Sequence, residues 1–401
     1  MNEVECWIWL QQSLGPGSVR PGQLVEVFGG AEGVFKATRS ELMKMPGLTA
    51  AEINRLCDKS FEKVERITEA CLRLGCGIIT FGDADFPQRL RDIYAPPCVL
   101  YVQGELYSVD DTVLIAIVGT RQITEYGLEA ATKLAIGLAS HGVVVVSGLA
   151  LGVDTAAHRG ALKGGGKTIA VIGCGLDINY PASNSELRRL ISAHGAIVSE
   201  YPPGTQPMAF TFPVRNRIIA GLSLGTVVVE AGASSGALIT ASLAVEMGRD
   251  VFAVPGSIFS PLSEGTNKLL RDGAKPVLGV MDILEEYIGG YPQSINIDLL
   301  EAAAADEKHA DRPDARDEGK AAPGQIVIEK THIKKPASKK APQNLTKAQA
   351  AVYDILSDSP VHVDEISLRA NLEPRMVLAV LTTLEIEGLA LSHPGRRFSA
   401  V

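Results

Sequence analysis

The spacing of apolar positions changes along the chain, and each change marks a different kind of element. Through residues 1–75 the period is helical: Trp7, Ile8 and Leu10 open one stripe, Leu24, Val25 and Phe28 another, and a longer run extends from Leu56 to Leu74. Between them, Leu42-Met43-Lys44-Met45-Pro46-Gly47-Leu48 and then Ala50-Ala51-Glu52-Ile53 read as one helix–turn–helix of a helix-hairpin-helix or sterile-alpha-motif-like unit. Its Pro-Gly turn suits a phosphate backbone, but a packing or protein-contact role fits at least as well, because no partner hairpin or basic cluster accompanies it. From about Gly77 continuous apolar runs take over, at Ile115–Val118, Val143–Ser147, Thr168–Ile172, Ala196–Ser199, Thr226–Val229 and Val251–Val254, with helical stretches between them. Runs of that kind predict a mostly parallel sheet covered on both faces. Ser183 and Glu186 have the spacing of a capping box for the helix running to Ala193.

Residues 291–343 lose the pattern. Glu301–Glu318 is rich in Ala, Asp and Glu, whereas Lys330, Lys334, Lys335, Lys339 and Lys340 make a basic, proline-punctuated end, which reads as a flexible linker with a solvated charge run. Periodicity then returns. Thr346 caps a helix to Leu356, Val363–Ala370 is a second, and a third starts at Pro374 with Met376, Val377, Val380, Leu381 and Leu384 on its core face. Leu389–Ser392 and Arg397–Val401 flank a turn, so three helices and a hairpin predict a winged helix. Its third helix offers Arg375 but also Glu385 and Glu387, which favours protein contact over major-groove reading, with Arg396 and Arg397 in the wing left as DNA candidates. The expected fold is therefore α/β: an extended Rossmann-like, mostly parallel sheet over 76–290, preceded by a helical domain (1–75) and followed by the linker (291–343) and the winged helix (344–401).

Composition narrows the function. Hydrophobic residues at 46% with only 5% aromatic, and 40 glycines, fit Ala/Gly/Val-rich α/β packing. Lys and Arg number 38 against 46 Asp and Glu, so any nucleic-acid site has to be a local basic patch on an acidic body. The six cysteines form no Cys-x-x-Cys pair, which points to a reduced, cytoplasmic setting without a metal site. Glu3 and Glu5 replace the basic start of a signal peptide, and the apolar runs are too short to span a bilayer, so no membrane association is expected.

Candidate chemistry gathers at the carboxyl ends of the strands, where such sheets hold ligands. The most informative run is Phe212-Pro213-Val214-Arg215-Asn216-Arg217-Ile218-Ile219-Ala220-Gly221-Leu222-Ser223. Proline fits a helix start, a helix start gathers unpaired N–H groups, and guanidinium groups there suit phosphate, with Phe210 and Phe212 near enough to stack on bases. Arg215 and Arg217 stand about 200° apart on an ideal helix, so one is expected at the ligand and the other on an internal carboxylate, for which Glu230 is a candidate. A wholly internal Arg–carboxylate network is the alternative.

The glycines of Ser147-Gly148-Leu149-Ala150-Leu151-Gly152-Val153-Asp154 either present N–H groups to a phosphate or simply turn the chain, with Asp154 placed to cap the next helix. Asp154 and His158 have the i,i+4 spacing of a metal or acid–base pair, but no third ligand accompanies them, so capping and packing are preferred. Small residues and hydroxyls from Glu230 to Thr240 suit a sugar–phosphate contact, and Glu230 would be the base of a hydrolase. Gly265-Thr266-Asn267-Lys268 is another glycine-led helix start with a cation. Gly164-Gly165-Gly166-Lys167-Thr168 is not a P-loop, since Ala161 replaces the first glycine and Lys-Thr leads into a strand; it is read as a tight turn.

Taken in order, these segments resemble the DNA-processing protein A (DprA, or Smf) family. The likeness rests on Ile117-Val118-Gly119-Thr120-Arg121, Ser147-Gly148-Leu149-Ala150 with Asp154 and His158, Gly175-Leu176-Asp177, Tyr180-Pro181, Ser199-Glu200, the arginine run, Glu230-Ala231, Ser235-Gly236, Val254-Pro255-Gly256 and Gly265-Thr266-Asn267, spanning roughly 80–290. The resemblance implies a homodimeric protein that binds single-stranded DNA without catalysis or cofactor. It would protect incoming strands and load the RecA recombinase in natural transformation. Carried onto this chain, it implies DNA contacts at Arg121, Ser147, Gly148, Phe210, Arg215, Asn216, Arg217, Ser235, Gly236 and Lys268. The chain departs from the family at Gln206, where a lysine is expected, and in its long charged linker. Two other classes stay open: a nucleotide phosphoribohydrolase, although Glu230–Thr240 lacks that group's Pro-Gly-Gly-x-Gly-Thr loop, and a protein adaptor with an idle pocket.

Overall fold

The computed structural model describes residues 2–106, 109–296, 346–357, 361–370, 372, 374–386, 389–393 and 397–400. The linker from 297 onward, its lysines, Glu387, Arg396 and the side chain of Arg375 lie outside them. Two compact units result, Met1–Ala315 and Arg316–Val401.

The first unit opens with α1 (Glu3–Leu14), α2 (Arg20–Phe28), α3 (Ala31–Lys36), α4 (Arg39–Leu42), α5 (Ala50–Cys57) and α6 (Glu62–Leu74). Helices α1, α4 and α5 each start with a capping box, formed by Asn2/Glu5, Thr38/Glu41 and Thr49/Glu52. These reciprocal bonds satisfy amides that a helix start leaves unpaired. After α6 come β1 (Gly77–Thr80), α7 (Gln88–Arg91), β2 (Val99–Gly104), β3 (Leu114–Val118), α8 (Glu125–Ser140), β4 (Val144–Ser147), α9 (Val153–Lys163) and β5 (Thr168–Ile172). The chain continues through α10 (Ser185–His194), β6 (Ala196–Ser199), α11 (Thr211–Leu222), β7 (Gly225–Val228), α12 (Gly236–Glu246), β8 (Asp250–Ala253), α13 (Glu264–Arg271), β9 (Lys275–Pro276) and α14 (Met281–Ile288). The capping box expected of Ser183 and Glu186 does not form. A 3-10 turn, Ala182–Asn184, precedes α10 instead, and Glu186 pairs with Arg189 at 2.6 Å.

Nine strands form one sheet in the order β1-β2-β6-β5-β4-β3-β7-β8-β9. It is parallel from β6 to β9, and antiparallel where β2 meets β1 and β6. Side chains alternate between two cores. One face packs Ala116, Val146 and Val171 against α7, α11 and α12; the other packs Ile115, Val145 and Val227 against α8, α9 and α14. The second face continues beneath α10 and the N-terminal helices, where Trp7, Leu10 and Leu56 share a core with Tyr101, Ile172 and Ile197. Gln11 of α1 fixes this docking by donating to the Val99 carbonyl at 3.1 Å.

The order of strands locates the site. The chain leaves β3 for α8 on one face and β7 for α12 on the other, although β3 and β7 are neighbours whose ends lie level, Val118 opposite Val228. Their following loops must part, and the crevice between them is where ligands enter such sheets.

The second unit comprises α15 (Lys347–Tyr353), α16 (Val363–Ala370), α17 (Pro374–Ile386) and a sheet ordered β10 (Val361–His362), β12 (Arg397–Ala400), β11 (Ala390–His393). Thr346 and Gln349 cap α15 reciprocally, and Val352, Ile366, Val377, Leu381, Leu384 and Phe398 fill a separate core. This is the winged helix expected from the pattern. Among the described residues, no helix is long and apolar enough to cross a membrane, and no three His, Cys, Asp or Glu are grouped to hold a metal ion.

Candidate nucleic-acid interface

The crevice floor is the loop after β4. Leu149 adopts a left-handed backbone (φ 58°) while buried, a conformation costly for a branched residue unless its surroundings enforce it. The enforcing group is Asp154. One oxygen of its carboxylate accepts from the Gly148 N–H at 3.1 Å and the Ala150 N–H at 3.2 Å. Burial raises the Asp154 pKa, and the Arg215 guanidinium and these amides oppose the rise. Asp154 thus caps the loop behind it, not α9, whose N-cap is Gly152. The amides a phosphate would use are already occupied. His158 makes no pair with Asp154; its Nδ1 meets the Thr168 hydroxyl at 2.7 Å. The Gly164–Lys167 stretch is the turn between α9 and β5, so this glycine run is not a P-loop.

Helix α11 forms one wall, and its two arginines diverge. Arg215 is 4% exposed and donates to the Gly148 carbonyl at 2.8 Å and to the Val171 carbonyl. A Cβ on Gly148 would collide with this guanidinium, so a side chain there would have to displace Arg215 from its carbonyl partners. Arg215 still borders the crevice. Arg217 is 6% exposed and points elsewhere, to Glu200 at 2.6 Å and the Ala95 carbonyl at 2.9 Å. The expected strand contact of Arg217 is therefore corrected: its charge is neutralised internally. Its carboxylate is Glu200, not Glu230, which instead accepts the N–H and hydroxyl of Thr124 at 3.0 and 2.5 Å.

Above this floor lies an open groove of about 780 Å³. Exposed Arg121 holds its guanidinium 5.3 Å from the Phe212 ring centre, and Tyr180 lies 5.7 Å from Phe212 on its other contact. A cation resting on an aromatic ring keeps its charge available to an anion while the rings offer apolar faces. The far wall is the start of α12, where Ser235 accepts the Ala237 N–H and Asn216 reaches across to the Gly236 carbonyl at 3.4 Å. A smaller enclosed space of about 60 Å³ opens among Arg121, Gly148–Leu151, Tyr180 and Phe212.

Of the residues proposed from sequence, Arg121, Gly148, Arg215, Asn216, Ser235 and Gly236 meet around these spaces. Ser147 does not: it is wholly buried, and its hydroxyl donates to the Ile117 carbonyl at 2.6 Å. Phe210 is 67% exposed but lies outside the groove lining, which takes Phe212 instead. Lys268 is exposed on α13, also outside the lining. Tyr180 was legible only as half of a Tyr-Pro pair, since its place against Phe212 depends on where α11 begins.

A Rossmann-like α/β unit with a cationic, aromatic groove at its strand ends, joined to a winged helix, defines the class. A family model described as DNA recombination-mediator protein A matches residues 77–288, and a DprA winged helix domain model matches 336–396. Protein Smf of Synechocystis is 33% identical over 413 residues, covering 99% of this chain and 98% of its own. DNA processing protein DprA of Streptococcus pneumoniae is 48% identical over 205 residues, 51% of this chain and 72% of that one. The X-ray structure of DprA from Streptococcus pneumoniae matches with a TM-score of 0.62 at 37% identity, over 71% of this chain and 98% of that chain. The chain belongs to the DprA/Smf family.

Proposed function

We propose that the groove binds single-stranded DNA without altering it covalently, and that the protein, as a homodimer, protects incoming strands and delivers them to a RecA-type recombinase in natural transformation. The observation that carries the binding reading is the Arg121–Phe212–Tyr180 cluster over an open groove, a cation for phosphate beside rings for bases. The carboxylates beyond the strand ends, Asp154, Glu200 and Glu230, are all held by internal donors, which favours a binding role over hydrolysis. Recombinase delivery and dimerisation rest on family membership, whose model describes a recombination mediator.

Fluorescence anisotropy with oligothymidylate at two salt concentrations tests the reading. Arg121→Ala should weaken binding several-fold and lower the salt slope by about one, the signature of one lost phosphate contact. Unchanged affinity and slope would remove the strand from this groove.

A further inference from the structure

A second cavity, of about 440 Å³, lies on the other side of the segment that walls the groove. It is lined by Thr124, Tyr126, Glu230, Ser257, Ser260 and Ser263, among others. Glu230 links the two: it lines the cavity, and its carbonyl accepts the N–H of Thr120, a residue of the groove lining, at 2.7 Å. The loop from Pro255 to Leu262 is likewise shared, with Leu262 in the groove lining and Ser257 and Ser260 in that of the cavity. At its tip, between those two serines, Ile258 and Phe259 are 81% and 89% exposed.

This tip is built to stand out. Asn267 of α13 clamps Gly256 by accepting its N–H at 3.2 Å and donating to its carbonyl at 3.1 Å. Tyr126 donates to the Pro255 carbonyl at 2.7 Å, and the Ser257 hydroxyl accepts the Phe259 N–H at 3.2 Å. A backbone braced in this way has already lost freedom that binding would otherwise take from it, while the exposed ring keeps its own rotamers. The cavity lining contains a buried carboxylate, several hydroxyls and no cation, so it suits the uncharged part of a nucleotide and repels phosphate.

We propose that this cavity and the Phe259 tip form a second base-binding subsite for the same strand, whose phosphates stay on the Arg121 side. The inference rests on the groove reading and extends it from a pocket to a path.

The full-length protein would be titrated with oligothymidylates of about 6 and about 15 nucleotides, spanning the short and long ends of ordinary single-strand sites. Phe259→Ala should weaken the longer oligomer roughly ten-fold, leave the shorter one and the salt slope unchanged, and be rescued by Phe259→Tyr. Equal affinity of parent and Phe259→Ala for the longer oligomer overturns the subsite. So does equal loss at both lengths, or a change in sedimentation with no change in strand affinity, which would make the tip a contact between copies. Failure of the parent to bind either oligomer would instead overturn the groove reading itself, and the subsite with it.

Discussion

His158 on α9 is wholly buried, and burial, reinforced by the Arg215 guanidinium, lowers its pKa to about 3. The Thr168 hydroxyl donates onward to the Val145 carbonyl at 2.7 Å, so it accepts from His158 and Nδ1 carries the proton. In the unfolded chain the ring titrates near its ordinary value of about 6.5. Between these values the unfolded state takes up a proton that the folded state refuses. Stability attributable to this residue is therefore intact above about pH 6.5 and falls toward pH 3, by at most about 1.4 kcal/mol per unit. His158→Asn should flatten that part of a melting-temperature-versus-pH curve relative to the parent; parallel curves would show that the ring is not held neutral. The same i,i+4 pair that suggested a metal or acid–base site is thus two separate structural groups.

Among the elements, α11 shows what helical geometry does and does not reveal. That Arg215 and Arg217 should face different partners follows from their spacing alone. Which partner each takes does not, because Glu200 comes from the end of β6 and Gly148 from the loop after β4. Glu200 also accepts the Gly17 N–H at 3.2 Å through the oxygen that holds Arg217, tying the link between α1 and α2 to α11. Arg217→Met would leave that carboxylate buried without its cation, and should cost about 3–5 kcal/mol in thermal or denaturant unfolding. A loss of strand affinity in that variant without a loss of stability would return Arg217 to the interface. The strands were legible because a short, unbroken apolar run needs cover on both faces, which the middle of a layered parallel sheet supplies. The inward turn of Ser147 was not, since a hydroxyl at a strand end takes its direction from the neighbouring strand, here the Ile117 carbonyl of β3. Nor was the choice of Phe212 over Phe210, two residues that straddle the start of one helix.

At the scale of the whole molecule, a formal charge of −8 requires that attraction to DNA be local. The lysines from 330 to 340 are the largest basic run, but the acidic stretch 301–318 precedes them in the sequence. Replacing Lys334, Lys335, Lys339 and Lys340 with glutamine should leave the salt slope of oligothymidylate binding near that of the parent; a fall of several units would transfer the electrostatic contact to this run.

The Asp154 carboxylate in the Gly148 loop has a consequence for selectivity between monomers and polymers. Sheet edges of this kind commonly grip a mononucleotide by its phosphate, on amides that face the solvent. Here the chain's own anion occupies two of those amides, so ATP or a dinucleotide gains little from entering. A ligand bound through one cation and a few ring faces at a time holds on only by repeating those contacts, as a strand does and a free nucleotide does not. In the proposed binding mode the groove therefore favours a strand over soluble nucleotides.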